Sequence, residues 1–297
     1  MRLKELDISD RGIFEKFLGL EQHRLSVYHF SNIFIWKRLF KIFYTVIDGC
    51  LCVFFKDNCG CFMYLPVLGK RKDPGLLKDC FAIMDKLNTN KDISRIENVE
   101  CQDLPIYQKQ SYKYSTKTAD YVCKRDDLVL LQGSRFKSKR NLRNYFVKNY
   151  DFDFRPFTTK DTGPCLDLYR RWAQNRRRKF SDRVYQGMLE DSFLCQKQAL
   201  AHFKDLGLLG YVLKTGDNIA GYTFGFSLSS EIFCVLFEIC DLSYKGAPQF
   251  IFSEFCRKIP GYKYINIMDD SGLQNLQAVK LSFHPDELIA NFVIRRN

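Results

Sequence analysis

The sequence of 297 residues predicts an α/β protein, of mixed α+β type, in which helices pack on a mixed sheet. In residues 1–40 the apolar side chains recur every three or four positions, as on one face of a helix. Residues 42–68 instead have the pattern of strands joined by turns at Asp48-Gly49 and Asp57-Asn58. Helical and extended segments then alternate to the end of the chain, which is typical of a layered fold built from both.

Capping and turn residues set the limits of the remaining elements. Ser134 and Asp182 are residue types that cap helices, and each stands before a long helical segment. Turn residues at Gly216-Asp217 and Ser229-Ser230 separate three extended runs. The predicted helices after residue 42 cover 76–87, 134–149, 161–179, 182–203, 247–258 and 272–280. The predicted strands after residue 68 cover 93–99, 118–123, 152–157, 208–214, 219–228, 231–239, 264–268 and 288–295.

The composition excludes several classes of protein. Hydrophobic residues make up 46% of the chain and aromatic residues 15%, so a large core can form and disorder is not expected. No run of about 18 apolar residues predicts a membrane-spanning helix, and the first residues lack the apolar segment of a secretion signal. We therefore expect a cytoplasmic protein, which can still contact the inner face of the membrane peripherally.

The twelve cysteines are expected to be reduced thiols, because most have apolar neighbours and no secretion signal is present. Two C-x-C pairs, Cys50-Leu51-Cys52 and Cys59-Gly60-Cys61, differ from the C-x₂₋₄-C spacing of zinc knuckles. They fit adjacent strands in which alternate cysteines line one face of a sheet. The sequence therefore predicts no metal site.

The formal charge of +12 favours a polyanionic partner such as nucleic acid, a phospholipid surface or a phosphorylated ligand. Arg135, Lys139 and Arg143 recur every four residues and share one face of the predicted helix 134–149. Residues 170–179 contain six further basic residues. Each segment alone also fits a solvated helix face, but together they predict phosphate contacts with tRNA or another polyanion.

Several motifs resemble one known family, the C-terminal catalytic domains of bacterial phosphatidylglycerol lysyltransferases and their stand-alone relatives. The run from Asp270-Ser271-Gly272-Leu273 to Lys280-Leu281-Ser282-Phe283-His284-Pro285 is the closest match. The other matching residues are Asp120-Tyr121-Val122, Leu131 to Phe136, Lys139-Arg140-Asn141, Ala220-Gly221 and Glu238 with Tyr244-x-Gly246-x-x-Gln249.

The resemblance implies two tandem GNAT-like (acyl-CoA N-acyltransferase-like) domains, in a layout similar to that of Fem-type aminoacyltransferases. We expect residues 1–150 to form the first domain, ending in the basic helix with Lys139-Arg140-Asn141, and residues 151–297 to form the second, which carries the active site. Gln277 departs from the family pattern, where arginine is usual, and this departure favours a changed substrate or lost turnover.

The resemblance also implies an acyl or aminoacyl transfer that uses no metal and no cofactor. Such a reaction needs a positioned acceptor, removal of its proton, and donors for the developing oxyanion. Glu238 and Asp241 end an apolar strand and are candidates for the base or for binding the α-ammonium group; a carboxylate that caps the next helix is the alternative. Asp270 and Lys280 complete the predicted catalytic set, although an N-cap and a helix-dipole contact also explain these two residues.

The remaining predicted site residues bind substrate. Asp269 beside Asp270 could select a cationic side chain, and Tyr244, Gly246 and Gln249 could shape the donor site. The full substrate-binding prediction comprises Lys139, Arg140, Asn141, Tyr244, Gly246, Gln249, Asp269, Ser282 and His284.

We therefore expect a transferase that moves an amino acid from aminoacyl-tRNA to a lipid or another small acceptor. An N-acyltransferase that uses acetyl- or acyl-CoA is the first alternative. Residues 241–248 contain a single glycine, and Pro248 lacks an N–H, so this segment is a poor match for a pyrophosphate-binding turn. A non-catalytic binding protein on the same fold is the second alternative.

Overall fold

The computed structural model describes residues 3–69 and 74–297. Within these residues the helices are α1 Arg11–Leu18, α2 Phe30–Phe34, α3 Pro74–Leu87, α4 Leu104–Gln108, α5 Arg125–Leu130, α6 Lys137–Asn149, α7 Thr162–Lys179, α8 Arg183–Ala201, α9 Ala247–Lys258 and α10 Gln274–Leu281. The strands are β1 Lys4–Glu5, β2 Lys41–Ile47, β3 Cys50–Lys56, β4 Cys61–Met63, β5 Ile96–Glu100, β6 Lys113–Lys124, β7 Asp153–Pro156, β8 Leu209–Thr215, β9 Asn218–Ser227, β10 Ile232–Cys240, β11 Tyr264–Asn266 and β12 Glu287–Arg295.

The chain forms two compact units. Unit 1 contains the chain up to Asp120 together with residues 269–274 and 288–297. Unit 2 contains residues 121–268 and 275–287. The division after Asp120 differs from the expected one at residue 150, because α5 and α6 pack against α9 of unit 2. The basic helix therefore belongs to unit 2.

Unit 1 is built on a sheet with the strand order β1-β2-β3-β4-β5-β12-β6. Strands β2, β3 and β4 pair antiparallel, β4 and β5 pair parallel, and β12 pairs antiparallel with β5. Its core includes Phe54 of β3 and Met63 of β4, which pack with Phe81 of α3. Burial of such side chains, each contributing about 2 kcal/mol, holds α3 on this sheet.

Unit 2 is built on a sheet with the strand order β6-β11-β10-β9-β8-β7, in which only β10 and β11 are parallel. Helices α5, α6 and α9 cover one face, where Phe255 of α9 packs on Ile265 of β11 and Phe233 of β10. Helices α7 and α8 cover the other face, where Tyr222 and Phe224 of β9 are buried.

Most predicted elements are present, with differences at their ends. The expected helical region 1–40 contains the separate helices α1 and α2, because α1 ends at Gly19 and the side chain of His29 caps α2. The prediction that Ser134 caps a helix is wrong, since α6 begins only at Lys137 after one 3₁₀ turn and has no side-chain cap. Asp182 does cap α8, accepting a hydrogen bond from the N–H of Tyr185 at 2.8 Å.

Four other segments also differ from the prediction. Strand β6 begins five residues before the predicted strand 118–123, at Lys113. Helix α10 begins at Gln274, because Gly272 has a left-handed backbone with φ +72° that does not continue a helix. The short helices α4 and α5 were not predicted; neither is long enough to show a clear period.

The cysteines are free thiols, ten of them buried and two, Cys59 and Cys101, exposed. Cys50, Cys52 and Cys61 are buried in the core of unit 1, whereas Cys59 is exposed. Among the described residues no group of histidine, cysteine and carboxylate side chains could hold a metal ion. The same residues include no helix that is long and apolar enough to cross a membrane.

Gly246 fixes the contact between α9 and α6, and this gives a first prediction. Its φ is +89°, and a Cβ atom at this position would lie 2.0 Å from the carbonyl oxygen of Leu142 on α6. Gly246→Ala should lower the free energy of unfolding by about 3 kcal/mol, through backbone strain and this overlap. Denaturant unfolding measures the change.

Gly187→Ala is the matched control, because Gly187 lies inside α8 with nothing within 4 Å of the added Cβ. This variant should be unchanged or more stable by up to about 1 kcal/mol. Equal destabilisation of both variants would contradict the assigned role of Gly246.

Candidate active site

A β-bulge in β10 determines which face of the unit 2 sheet receives Glu238. Val235 pairs with Gly225 of β9 and Phe237 pairs with the adjacent Phe224, so Leu236 is an extra residue in β10. Side chains alternate strictly along a regular strand, and the extra residue reverses the alternation. Glu238 therefore lies on the same face as Val235, which is the face covered by α9.

The Glu238 carboxyl group is isolated in this position. The residue is partly buried, but its Oε2 atom is shielded from solvent and has no hydrogen-bond partner among the described residues. Burial raises the pKa of Glu238 to about 8. A carboxyl group with a pKa near neutrality can both hold and release a proton at working pH, as a general base or acid must.

A second unpartnered polar atom lies directly opposite. Thr223 of β9 is the cross-strand partner of Glu238, and side chains at such positions have Cβ atoms about 5 Å apart. Thr223 is 0% exposed, and its Oγ1 atom also lacks a hydrogen-bond partner in the described part of the chain. Unpartnered buried polar groups are costly, which makes a functional role for this pair a reasonable inference. Thr223 was not among the predicted site residues, because a threonine in a strand carries no distinguishing signal.

Lys139 and Ser282, both predicted to bind substrate, are in contact. The Nζ atom of Lys139 on α6 donates a hydrogen bond to the Oγ atom of Ser282 at 2.7 Å. The same ammonium group lies 3.8 Å from the centre of the Phe283 ring, a cation–π contact. Burial lowers the pKa of Lys139. No acidic side chain among the described residues forms an ion pair with it.

Lys280 lies on the same side of unit 2. It is 9% exposed, donates to the carbonyl oxygen of Ile267, and lies 5.9 Å from the centre of the Tyr121 ring. Burial raises the pKa of Cys123 to about 12, while the charges of Lys280 and Lys139 act in the opposite direction. Both lysines are thus close enough to Cys123 of β6 to act on it electrostatically.

Cys256 of α9 links this cationic group to Glu238. Burial raises the pKa of Cys256 well above its usual value, and the charges of Glu238 and Cys123 raise it further. Glu238 thus lies near Cys256, and Lys139 and Lys280 lie near Cys123, and both cysteines belong to the core on the α9 face of unit 2. Of the predicted residues, the structure brings Lys139 and Ser282 into direct contact and places Glu238 and Lys280 on the same face of unit 2.

Arg143 adds a cation that was predicted on the basic face of the helix but not as a site residue. Its Nε atom is buried and has no partner among the described residues. Burial and the nearby charge of Arg257 on α9 lower its pKa. Its four-residue spacing from Lys139 is the signal that could have identified it.

The loop between β10 and α9 and the first turn of α9 contain four predicted residues, mostly in structural contacts. Asp241 accepts hydrogen bonds from the N–H and the Oγ of Ser243, at 2.9 and 2.7 Å. Tyr244 packs against Tyr150 with ring centres 5.4 Å apart, and Gly246 makes the close approach to α6 described above. Gln249, in the first turn of α9, is partly buried.

Arg140, Asn141, His284 and Gln277 lie at the edge of this region. Arg140 donates to the carbonyl oxygens of Leu131 and Gly133, so it holds the turn before α6. Asn141 and Gln277 are exposed on α6 and α10. The His284 ring packs edge-on against Phe136 at 5.2 Å.

Asp269 and Asp270 belong to unit 1. Asp269 accepts a hydrogen bond from the Oγ1 of Thr118 at 2.9 Å, and Asn291 in turn donates to that hydroxyl at 3.0 Å. Asp270 accepts from the N–H of Gly272 at 2.9 Å, which makes it a turn residue; α10 begins further on, so Asp270 is not its N-cap.

A shallow hollow lies elsewhere in unit 2. It is lined by Asp151, Phe152, Asp153, Lys214 and Gly216, at the edge formed by β7 and β8. None of the predicted site residues lines it. Its open shape and its distance along the sheet from Glu238 make it a poor candidate for the reaction centre.

Solved structures show the class of fold. The chain matches a tandem GNAT protein of the clavulanic acid biosynthesis pathway and FemX, each with a TM-score of 0.51 and 10% identity. The first match covers 98% of this chain and 97% of that protein, and the second covers 99% and 97%. The protein therefore has the fold of tandem GNAT-like domains.

The sequence model of one family, "Phosphatidylglycerol lysyltransferase, C-terminal", matches residues 19–295. The chain belongs to this family. The expected family and fold are thereby confirmed. L-PGS from Bacillus licheniformis has a similar structure, with a TM-score of 0.65 and 16% identity over 99% of this chain and 93% of that one.

Two further relatives are similar in sequence. A conserved protein of unknown function from Bacteroides thetaiotaomicron is 27% identical, with a TM-score of 0.88 over 100% of both chains. An uncharacterised protein of Mycoplasmoides gallisepticum is 24% identical over 182 residues, which are 60% of this chain and 56% of that protein. The matched part thus spans little more than half the length of this curated relative.

The raised pKa of Glu238 predicts a specific pH dependence of stability. Between pH 5 and 8 the folded state holds a proton on this group that the unfolded state has released. The contribution of Glu238 to the free energy of unfolding is therefore greatest at low pH and falls as the pH rises through 8. As the pH rises across this range, the free energy of unfolding of the wild type should fall faster than that of Glu238→Gln, by up to about 1.4 kcal/mol per pH unit. Urea unfolding at several pH values measures the difference.

Glu231→Gln is the control, since Glu231 precedes the same strand but is exposed and paired with Lys263. Its stability should run parallel to that of the wild type across this pH range. A Glu238→Gln variant that also runs parallel to the wild type would contradict the assignment of a buried, proton-holding carboxyl.

Proposed function

We propose that the protein transfers an aminoacyl group from aminoacyl-tRNA to a hydroxyl or amine of a lipid or another small acceptor, with Glu238 as the general base. The observation that carries this proposal is the Glu238 carboxyl group, which has no hydrogen-bond partner for Oε2 among the described residues and lies on the same face of unit 2 as Lys139 and Lys280. The family to which the chain belongs is named for a lysyltransferase, which supports a transferase of this kind.

The proposed step exchanges one ester for a new ester or amide. The Glu238 carboxylate takes the proton of the acceptor, and the acceptor attacks the carbonyl carbon of the aminoacyl ester. The oxyanion collapses, the bond between the carbonyl carbon and the ribose oxygen breaks, and that oxygen leaves with the proton that Glu238 took from the acceptor. Thr223, opposite Glu238, can hydrogen-bond the acceptor and position it.

The cations of the same region suit a phosphorylated donor. Lys139 is held by Ser282 and Phe283 without an acidic partner, so its charge is available to a phosphate group of the tRNA 3′ end. Lys280 is buried and fixed by Ile267 and Tyr121, so it contributes a positive field at a constant position.

A coenzyme A donor is the second candidate, and the start of α9 argues against it. Pyrophosphate binding at a helix N-terminus needs several unbonded N–H groups. Here the N–H groups of Ala247 and Phe250 are bonded to Tyr244 and Gly246, and Pro248 has none. Among residues 247–250 only Gln249 has an N–H without a bond to the described residues. The Asp241 carboxylate in the same loop would also repel a pyrophosphate.

The transfer reaction gives a prediction for Glu238. Incubation with tRNA charged with radiolabelled amino acids and with bulk lipid should move label into an organic-extractable product. The rate should rise with pH towards a plateau above about 8, because the base must be ionised. Glu238→Gln should lower the rate by about 100-fold or more and abolish this rise.

Glu231→Gln serves again as the control and should keep both the rate and the pH profile. An unchanged profile in Glu238→Gln would refute the role of this residue. Transfer of label from acetyl-CoA, with no reaction from charged tRNA, would replace the proposed donor.

Donor binding gives a prediction for Lys139. Filter binding of charged tRNA should weaken as salt rises, with a slope that reports the phosphate contacts. Lys139→Gln should reduce the magnitude of that slope by about 0.7 to 0.9, the value of one contact. Lys160→Gln, which removes an exposed cation of the same unit, should leave the slope unchanged. Binding that does not depend on salt would argue against a polyanionic donor.

A further inference from the structure

The turn between α7 and α8 presents apolar side chains to solvent. Phe180 and Val184 flank the turn and are 37% and 71% exposed; Val184 is the most exposed large hydrophobic side chain of the described residues. Single exposed apolar residues are common on protein surfaces. Here two exposed apolar residues lie at one turn, next to a run of basic residues. Such a group of exposed apolar side chains can mark a contact surface.

The turn itself is well fixed by local hydrogen bonds. The Asp182 carboxylate caps α8 through the N–H of Tyr185, and the Nε2 of Gln186 donates to the carbonyl oxygen of Phe180 at 2.6 Å. The rings of Phe180 and Tyr185 pack edge to face at 5.1 Å. These contacts fix the backbone of the turn that carries Phe180 and Val184, so little further ordering of the turn is needed when it binds a partner.

Cations flank these two residues in the sequence. Arg177 pairs with Glu190 at 3.0 Å, and the guanidinium of Arg176 lies over the ring of Trp172 at 5.2 Å. Arg178, Lys179 and Arg183 form no ion pair with the described residues. The acidic group within residues 171–184 is Asp182, which is engaged in the cap. The basic residues of this segment are Arg171, Arg176, Arg177, Arg178, Lys179 and Arg183.

We propose that residues 176–184, the turn and the cations next to it, dock on the surface of an anionic phospholipid bilayer. Exposed cations bind the headgroups, and Phe180 and Val184 enter the boundary between headgroups and acyl chains. Charge alone would fit RNA equally well. Val184 favours the membrane, because an aliphatic side chain has no flat face on which a base can stack but gains on entering lipid.

Docking of this kind does not depend on the proposed transfer reaction. It would hold for a protein without activity, and it is measured without aminoacyl-tRNA. The test is co-sedimentation of the full chain with vesicles of phosphatidylglycerol and phosphatidylcholine, compared with vesicles of phosphatidylcholine alone. We expect binding to the mixed vesicles that weakens with salt.

Two variants separate charge from apolar insertion. Arg178→Gln/Lys179→Gln/Arg183→Gln should weaken vesicle binding by about 100-fold, at about fivefold for each cation near the membrane surface. Phe180→Ser/Val184→Ser should weaken it by about tenfold and leave its salt dependence unchanged. The matched control Lys160→Gln/Lys197→Gln/Lys204→Gln removes the same charge from exposed positions of the same unit and should bind nearly as well as the wild type.

Thermal unfolding of each variant checks that its fold is intact, and the altered side chains lie at the surface. Filter binding of tRNA is measured in parallel. The proposal is overturned if wild-type protein ignores phosphatidylglycerol, if the control triple variant loses as much binding as the turn variants, or if the turn variants lose tRNA binding while retaining vesicle binding.

Discussion

Strand β10 has one extra residue, Leu236, where it pairs with β9, and the side chains beyond it change faces. Without this bulge, Glu238 would lie on the face of α7 and α8, against the aromatic core around Tyr222 and Phe224. With it, the carboxyl lies below α9, near the thiol of Cys256. The rest of the candidate active site depends on this reversal, because Lys139 and Lys280 lie on the α9 face as well.

The raised pKa of Glu238 also depends on the lack of an ion-pair partner among the described residues. Elsewhere in the chain, burial acts to raise the pKa of Glu97, but the charges of Lys117 and Arg95 outweigh it and lower that pKa. Glu97 is thus neutralised by structural ion pairs. Glu238 forms no ion pair with the described residues, and no nearby charge offsets the effect of its burial on its pKa. Such a group lowers the stability of the fold. A role in catalysis therefore explains its presence better than a role in packing does.

Periodicity was sufficient to predict most strands and helices, because their buried faces are long and apolar. The position of Glu238 at the end of β10 was also visible, but not its face, since a bulge depends on the register with β9. The partnership with Thr223 follows from that register. Asp269 and Asp270 were grouped with the second half of the chain, whereas the fold returns them to unit 1. Such a return depends on pairings between distant segments, which local patterns do not encode.

The place of β12 has a consequence for how the protein is made. This strand, residues 287–295, lies between β5 and β6 in the sheet of unit 1. A ribosome releases the chain from its N-terminus, so β5 and β6 emerge long before the strand that separates them. Until nearly all of unit 2 has been synthesised, the edges of β5 and β6 that later pair with β12 therefore stay unpaired or form incorrect pairings. Nascent unit 1 should accordingly be a natural client for chaperones that shield unpaired strands.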